Sequence, residues 1–189
     1  LCTGAVARLE QENITVDVAH PDLSMADIAF SVPRALDYAL SFGADLANTR
    51  EILKPEVVWN VELGLALSGD EIRQSQIAQG QVFANASAFM QDYDLLVCPA
   101  TIMPAYPVEE RYPGYSDGLA YSEYYRWLAI CCAITATTLP VITLPCGKTD
   151  TGLPVGLQLI GKPHGERELF AFAGYIEEIF DWNSLQRIA

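Results

Sequence analysis

Basic residues are scarce in this chain: 11 Lys and Arg stand against 24 Asp and Glu, a formal net charge of −13 over 189 residues. The cations are scattered rather than clustered, so the chain has no footprint for a phosphate backbone and nucleic acid is not expected as a direct partner. Histidine is scarcer still. His20 stands beside a proline and His164 in a Gly/Pro turn, and neither His-Glu-x-x-His nor Gly-x-Ser-x-Gly occurs. Zinc-protease and Ser-His-Asp chemistry therefore lack support. No apolar run approaches the roughly 20 residues of a membrane span. Arg8 and Glu10 also break up any apolar core near the start, so neither an anchor nor a signal peptide is expected. Fixed-period repeats and low-complexity tracts are missing too. The five cysteines, Cys2, Cys98, Cys131, Cys132 and Cys146, have no CxxC spacing and are mostly flanked by apolar residues. They predict buried, reduced thiols in a soluble cytoplasmic protein, with no metal and no cofactor.

What the chain does have is apolar surface. The hydrophobic share is 51% and the mean hydropathy +0.17, high for a free-standing soluble domain and a sign of surface meant to be covered. The length suits one domain, and residues 1–189 read as a single domain segment. Two uncharged runs, Pro140 to Cys146 and Pro154 to Gly161, flank a polar Gly147 to Gly152; they predict a buried hairpin with cover on both faces.

Around that hairpin the elements alternate. Ala5, Val6 and Leu9 predict a short first helix, and the strict alternation of Ile14, Val16 and Val18 predicts a strand. Ser24 is placed as the N-cap of a brief helix through Ala29, and Pro33 opens another towards Leu53, with Gly43 bending it. Pro55 opens a helix carrying Val58, Val61 and Leu65. Ser68 to Glu71 is a capping-box pattern for the longest helix, Asp70 to Gln91, whose apolar face runs through Ile72, Gln76, Gln79, Phe83, Ala86 and Met90. Leu95 to Cys98 reads as a buried strand leading into a Pro-rich passage, and loops leaving such strands in α/β sheets are where ligands sit. Pro113 to Gly118 reads as an exposed loop, Tyr121 to Ile134 as an aromatic approach to a helix, and Gly165 to Ile179 as a closing amphipathic helix bearing Leu169, Phe170, Ala173 and Ile176. The predicted fold class is α/β, a mixed β-sheet sandwiched by helices.

Several motifs fail on inspection. Gly147-Lys148-Thr149 lacks the upstream glycine of a phosphate loop, where Ile142 stands, and Asp150-Thr151-Gly152 lies in a polar turn unlike the apolar setting of an aspartic protease. Cys98 and Cys146 end strands without a base nearby in sequence and read as packing.

The segments LPVITLPCG (Leu139 to Gly147) and GLPVGLQLIG (Gly152 to Gly161), preceded by YDLLVCPAT (Tyr93 to Thr101), resemble the C-terminal part of the amidase signature family, with Arg167 to Glu178 similar to its terminal helix. The family hydrolyses amides with two serines and a lysine carried on its N-terminal half. No Gly-Gly-Ser-Ser-Gly-Gly run is present, and Lys54, Lys148 and Lys162 have no matching context. The resemblance thus implies no catalytic residue in this chain and a segment inactive without the N-terminal half of the same protein, its expected partner; it allows a homodimer. The chain starts with Leu rather than Met, and part of the gene product is expected to precede it. By the same resemblance Thr101, Ile102, Met103, Tyr124, Trp127, Cys131 and Thr135 face the substrate, a small uncharged or aromatic amide. Thr135 and Thr138 replace the usual Asn and Gly before the hairpin, and Trp127 and Leu128 stand where amidotransferase relatives carry an Asp. A glutaminase component of a tRNA-dependent amidotransferase and a non-catalytic scaffold are the other readings. Residues 1–189 alone are expected to be poorly soluble, because the strands from Ile14 and Leu95 would lose neighbours.

Overall fold

The computed structural model describes residues 1–116, 119–120 and 123–180. In chain order the helices are α1 (Cys2–Gln11), α2 (Ala26–Phe42), α3 (Leu46–Thr49), α4 (Pro55–Leu65), α5 (Gly69–Phe89), α6 (Ala129–Ala136) and α7 (Glu166–Ile179). The strands are β1 (Leu96–Pro99), β2 (Tyr115–Ser116), β3 (Leu119–Ala120), β4 (Val141–Lys148) and β5 (Pro154–Ile160). They divide into two units. The first takes residues 1–21, 86–131 and 138–189, and the second residues 22–85 and 132–137.

In the first unit the hairpin forms where its apolar runs demand it. Strand β5 lies between β4 and β1 and is antiparallel to both. Its central position buries Leu157, Gln158, Leu159 and Ile160 on both faces. Strand β4 lies at an edge and alternates instead: Val141 and Thr143 are exposed, Leu144 and Cys146 buried. That corrects the reading of both runs as wholly buried. The loop returns through Gly152 at φ +85°, a conformation glycine adopts freely. Helices α1 and α7 cover the sheet, with Ala5 and Leu9 meeting Leu169, Ala173, Ile176 and Phe180 in one apolar cluster with Leu144, Leu157 and Leu159. Phe170, assigned to the apolar face of α7, is exposed. At the end of α7 the Arg8 guanidinium donates to the Ile179 carbonyl at 2.5 Å and lies 5.1 Å from the Phe180 ring centroid, satisfying a carbonyl the helix leaves open.

Residues 14–18 do not form the expected strand. They join no ladder among the described residues: the Ile14 amide donates to the Leu9 carbonyl at 3.3 Å, Ile14 and Val16 pack on the core cluster, and Val18 is fully exposed. A strand needs a partner, and none is beside them among the described residues. The loop expected from Pro113 to Gly118 also differs, because Pro113 is buried and β2 pairs with β3. Residues 117 and 118, like Tyr121, lie outside the described residues.

The second unit is helical. Helix α2 runs unbroken from Ala26 to Phe42 with Pro33 inside it, where two helices were expected. A proline at that position forfeits one intrahelical bond, and the close packing of α2 on α4 offsets the loss: Ala35 is fully buried, and Arg34 Nη1 donates to Asn60 Oδ1 at 2.7 Å. Ser24 is not the N-cap of this helix. Met25 occupies that position, and the Ser24 amide donates to Asp22 Oδ1 at 2.9 Å. Gly43 ends α2 in a short 3₁₀ turn through Asp45. The capping box forms as the sequence predicts: the Glu71 amide donates to Ser68 Oγ at 3.2 Å and the Ser68 amide donates to Glu71 Oε2 at 2.8 Å. The Ser68 hydroxyl also donates to Glu71 Oε2 at 2.6 Å, and this bond first, then the one from the Ser68 amide, holds the Glu71 carboxyl below its ordinary pKa.

The buried face of α5 is only partly the one expected: Ala86 and Met90 are buried as predicted, but the rest of the face is turned. Ser75, Ala78, Val82 and Ala86 point inward, whereas Gln76 and Phe83 are exposed. Ala78 and Val82 meet Ala26, Ala29 and Ala136 in a cluster of small side chains. Small residues let helices approach closely, and the bulky ones are turned out.

Candidate functional site

The first unit contains a cleft of about 890 Å³ at the C-terminal end of β1. Its construction follows from the sheet. Beyond Pro99 the chain leaves the sheet, held by the Ala100 amide donating to the Gly156 carbonyl at 2.9 Å. Residues 100–106 then form one wall, Trp127 and Ile130 a second, and the sheet ends at Thr143, Pro145 and Pro154 to Gly156 the floor, with Leu1 to Thr3 alongside. Gly156 keeps this corner tight: a Cβ there would stand 3.1 Å from Thr143 Cγ2 and 3.2 Å from Ala100 Cβ. None of the lining side chains is charged.

Of the residues singled out from sequence, Thr101, Ile102, Met103 and Trp127 line this cleft together. Thr101 Oγ1 donates to the Met103 carbonyl at 2.6 Å, which folds the wall back on itself. Trp127 meets Tyr106 edge to face with centroids 5.4 Å apart. Cys131 stands behind the wall, its thiol donating to the Ala100 carbonyl at 2.8 Å. Tyr124 packs between Tyr112 and Tyr125 and does not line the cleft. Thr135 is exposed on α6, in the second unit. Sequence reading missed Tyr106, Gly156 and the start of α1 as cleft residues. A Pro-x-Gly at the head of β5 was a usable sign of close backbone approach; nothing in the sequence signals the neighbourhood of α1.

Two thiols near the cleft are chemically quiet. Burial first, and then repulsion from Cys131, pushes Cys98 up to about 11, against a hydrogen bond from Gln158 Nε2 at 3.6 Å that pulls it down. Burial, with Cys2 beside it, pushes Cys146 up to about 11. Burial raises Cys131 as well. Near pH 7 these groups are protonated and non-nucleophilic, which supports packing as their role. A pKa of about 11 in place of the ordinary 9.0 leaves roughly 100-fold less thiolate at pH 8. Cys98 and Cys146 are therefore expected to alkylate with iodoacetamide about 100-fold more slowly than a free thiol, by peptide mass spectrometry; equal rates would refute the shift. All five cysteines are free thiols, and no metal-binding cluster of His, Cys, Asp or Glu is found among the described residues.

The amidase family model matches residues 12–170. The chain belongs to the amidase family. A glutamyl-tRNA(Gln) amidotransferase subunit of Treponema denticola is 27% identical to this amidase chain over 128 residues, 68% of the chain and 25% of the relative. The acylamidase of Rhodococcus erythropolis is 26% identical over 116 residues, 61% of the chain and 24% of the relative. The amidase chain thus spans about a quarter of the length of these curated relatives. Among solved structures, a bacterial aryl acylamidase of the amidase signature enzymes superposes with a TM-score of 0.79 at 18% identity, covering 97% of this chain and 40% of that one. A 6-aminohexanoate cyclic dimer hydrolase complexed with substrate gives 0.78 at 18% identity, covering 96% and 41%. The fold is therefore the α/β amidase signature fold. No helix among the described residues is long and apolar enough to cross a membrane.

Proposed function

We propose that this chain is the C-terminal part of an amidohydrolase that cleaves small uncharged carboxylic amides. Water adds to the acyl carbon, the C–N bond breaks, and a carboxylate and an amine leave. In this reading a serine outside these residues attacks the carbonyl first, a lysine and a second serine passing its proton to the departing amine, and the water then releases the carboxylate from the acyl-serine. The present chain closes the sheet and walls the acyl pocket, and it is inactive alone. The observation that carries the reading is the uncharged cleft beyond β1, in a chain of the amidase family, with Trp127, Tyr106, Ile102 and Met103 as its apolar surfaces. Such a lining favours an aliphatic or aryl acyl group over a polar one. The free thiols fit a reducing compartment, the cytoplasm. The likeness to an amidotransferase component favours a second reading, a glutaminase that works with partner proteins.

The test is to express the complete polypeptide and assay aliphatic amides, aryl amides and glutamine. Amine release from the first two supports the proposal. Ammonia from glutamine alone supports the amidotransferase reading. No hydrolysis with the upstream serines and lysine intact would leave a scaffold. Trp127→Ala is expected to raise KM for aryl amides about tenfold while leaving kcat within about twofold, since the wall binds the acyl group without touching the proton relay. A loss confined to kcat would remove Trp127 from the pocket.

A further inference from the structure

The loop of residues 104–113 carries three prolines and two tyrosines, and the tyrosines tie it to the approach to α6 at two places. At the cleft, the Tyr106 ring stands 5.4 Å from that of Trp127 at an interplanar angle of 84°. Further out, Tyr112 meets Tyr124 with centroids 5.8 Å apart, and Tyr124 in turn meets the buried Tyr125 edge to face at 5.7 Å. This second tie lies outside the cleft lining. The two are linked across the loop, because the Tyr106 hydroxyl donates to the carbonyl of Arg111, the residue before Tyr112, at 3.5 Å. Pro104, Pro107 and Pro113 fix φ at three positions, so a shift at the outer tie is passed to the inner one rather than absorbed.

Two rings that stand at 84° and both line a cleft form a right-angled corner. A flat third ring lodged there stacks on one and meets the other by its edge, the two arrangements that aromatic pairs favour. A puckered ring of the same size lies flat against neither. We infer that the corner of Tyr106 and Trp127 selects a planar aromatic acyl group, and that Tyr112 and Tyr124 are positioning residues whose contact holds the corner at its angle. Tyr124, expected from the sequence to face the substrate, thus acts on it through Tyr106. The uncharged lining fits an aryl group without a charged substituent.

This inference rests on the amide-hydrolase reading and narrows its substrate class. Benzamide and cyclohexanecarboxamide, close in size and different in flatness, test it on the complete polypeptide. KM is expected to be at least about tenfold lower for benzamide, the worth of two ring contacts. Tyr112 is itself exposed, so its loss leaves the core intact. Tyr112→Ala is expected to shrink the KM ratio to about threefold or less while kcat stays within about twofold, and Tyr112→Phe, which keeps the ring, preserves the ratio. In a Tyr106→Ala background, Tyr112→Ala should change KM by less than about twofold, because its effect passes through the corner. Equal KM values for the two amides overturn the selectivity of the corner and leave the hydrolase reading standing. Effects of the two substitutions that multiply independently overturn the role of Tyr112. Failure to hydrolyse either amide removes the hydrolase reading, and this inference with it.

Discussion

Replacing Gly64 by Ala is expected to destabilise the protein by about 3 kcal/mol and lower its melting temperature by roughly 6–12 °C. Gly64 lies on α4 where that helix meets α2. A Cβ there would stand 2.0 Å from the Ala35 carbonyl oxygen, 2.6 Å from its carbon and 2.8 Å from Ala39 Cβ. Two of these atoms are backbone, and the side chains about them, Ala35 and Val61, are fully buried. The helices must separate, and the Arg34 to Asn60 hydrogen bond that ties them is stretched. A gain of roughly 1 kcal/mol in helix propensity is outweighed. Gly80 on α5 has nothing within 4 Å of a built Cβ, so Gly80→Ala is expected to stabilise by about 0.5–1 kcal/mol. Thermal melts of the two variants should move in opposite directions; a shared direction would mean that α2 and α4 can part at little cost.

The second large effect belongs to the sheet. Leu159 is 0% exposed at the centre of β5, opposite Val97 on β1 and Ile142 on β4, and sits in the cluster with Leu169, Ala173 and Ile176. Leu159→Ala removes methyl groups that neighbours on both sides cannot replace, at a cost of about 3 kcal/mol. Phe170, on the adjoining helix, is 67% exposed, and Phe170→Ala should shift stability by no more than about 0.5 kcal/mol. Chemical denaturation separates the two: comparable losses would mean that the α7 face is misassigned.

The contrast between Leu159 and Phe170 also shows which information the sequence carries. Leu157, Leu159 and Ile160 sit in an uncharged run bounded by Pro154 and Gly161, and a central strand is what such a run can become. Proline at the head of α4, the Ser68 to Glu71 box and the run Leu95 to Cys98 were legible for the same reason, because each is decided by a few adjacent residues. What failed depended on neighbours far along the chain. Pro33 would end a solitary helix, and only Ala35 packed on α4 keeps α2 whole. The face of α5 was assigned by bulk, whereas alanines from α2 and α6 choose Ala78 and Val82. Residues 14–18 have strand chemistry and no strand beside them among the described residues. In the cleft, Thr101 to Met103 could be found because they follow the apolar run that becomes β1, which is half-buried rather than buried as expected; the nearness of Cys2 and Thr3 could not, since it is made by tertiary packing alone.

The sheet is also unequal at its two borders. On β4 the residues whose backbone groups turn away from β5 include Pro145, which has no amide to give, and the ladder slips between Pro145 and Gly147. A foreign strand approaching there finds a missing donor and a kink. At β1 the residues turned away from β5 are Val97, which offers both of its groups, and Pro99, which has no amide. Both borders thus carry a proline that donates nothing, and the slip between Pro145 and Gly147 is what sets the β4 border apart; misassembly of this protein during synthesis should start more readily from the unkinked β1 border.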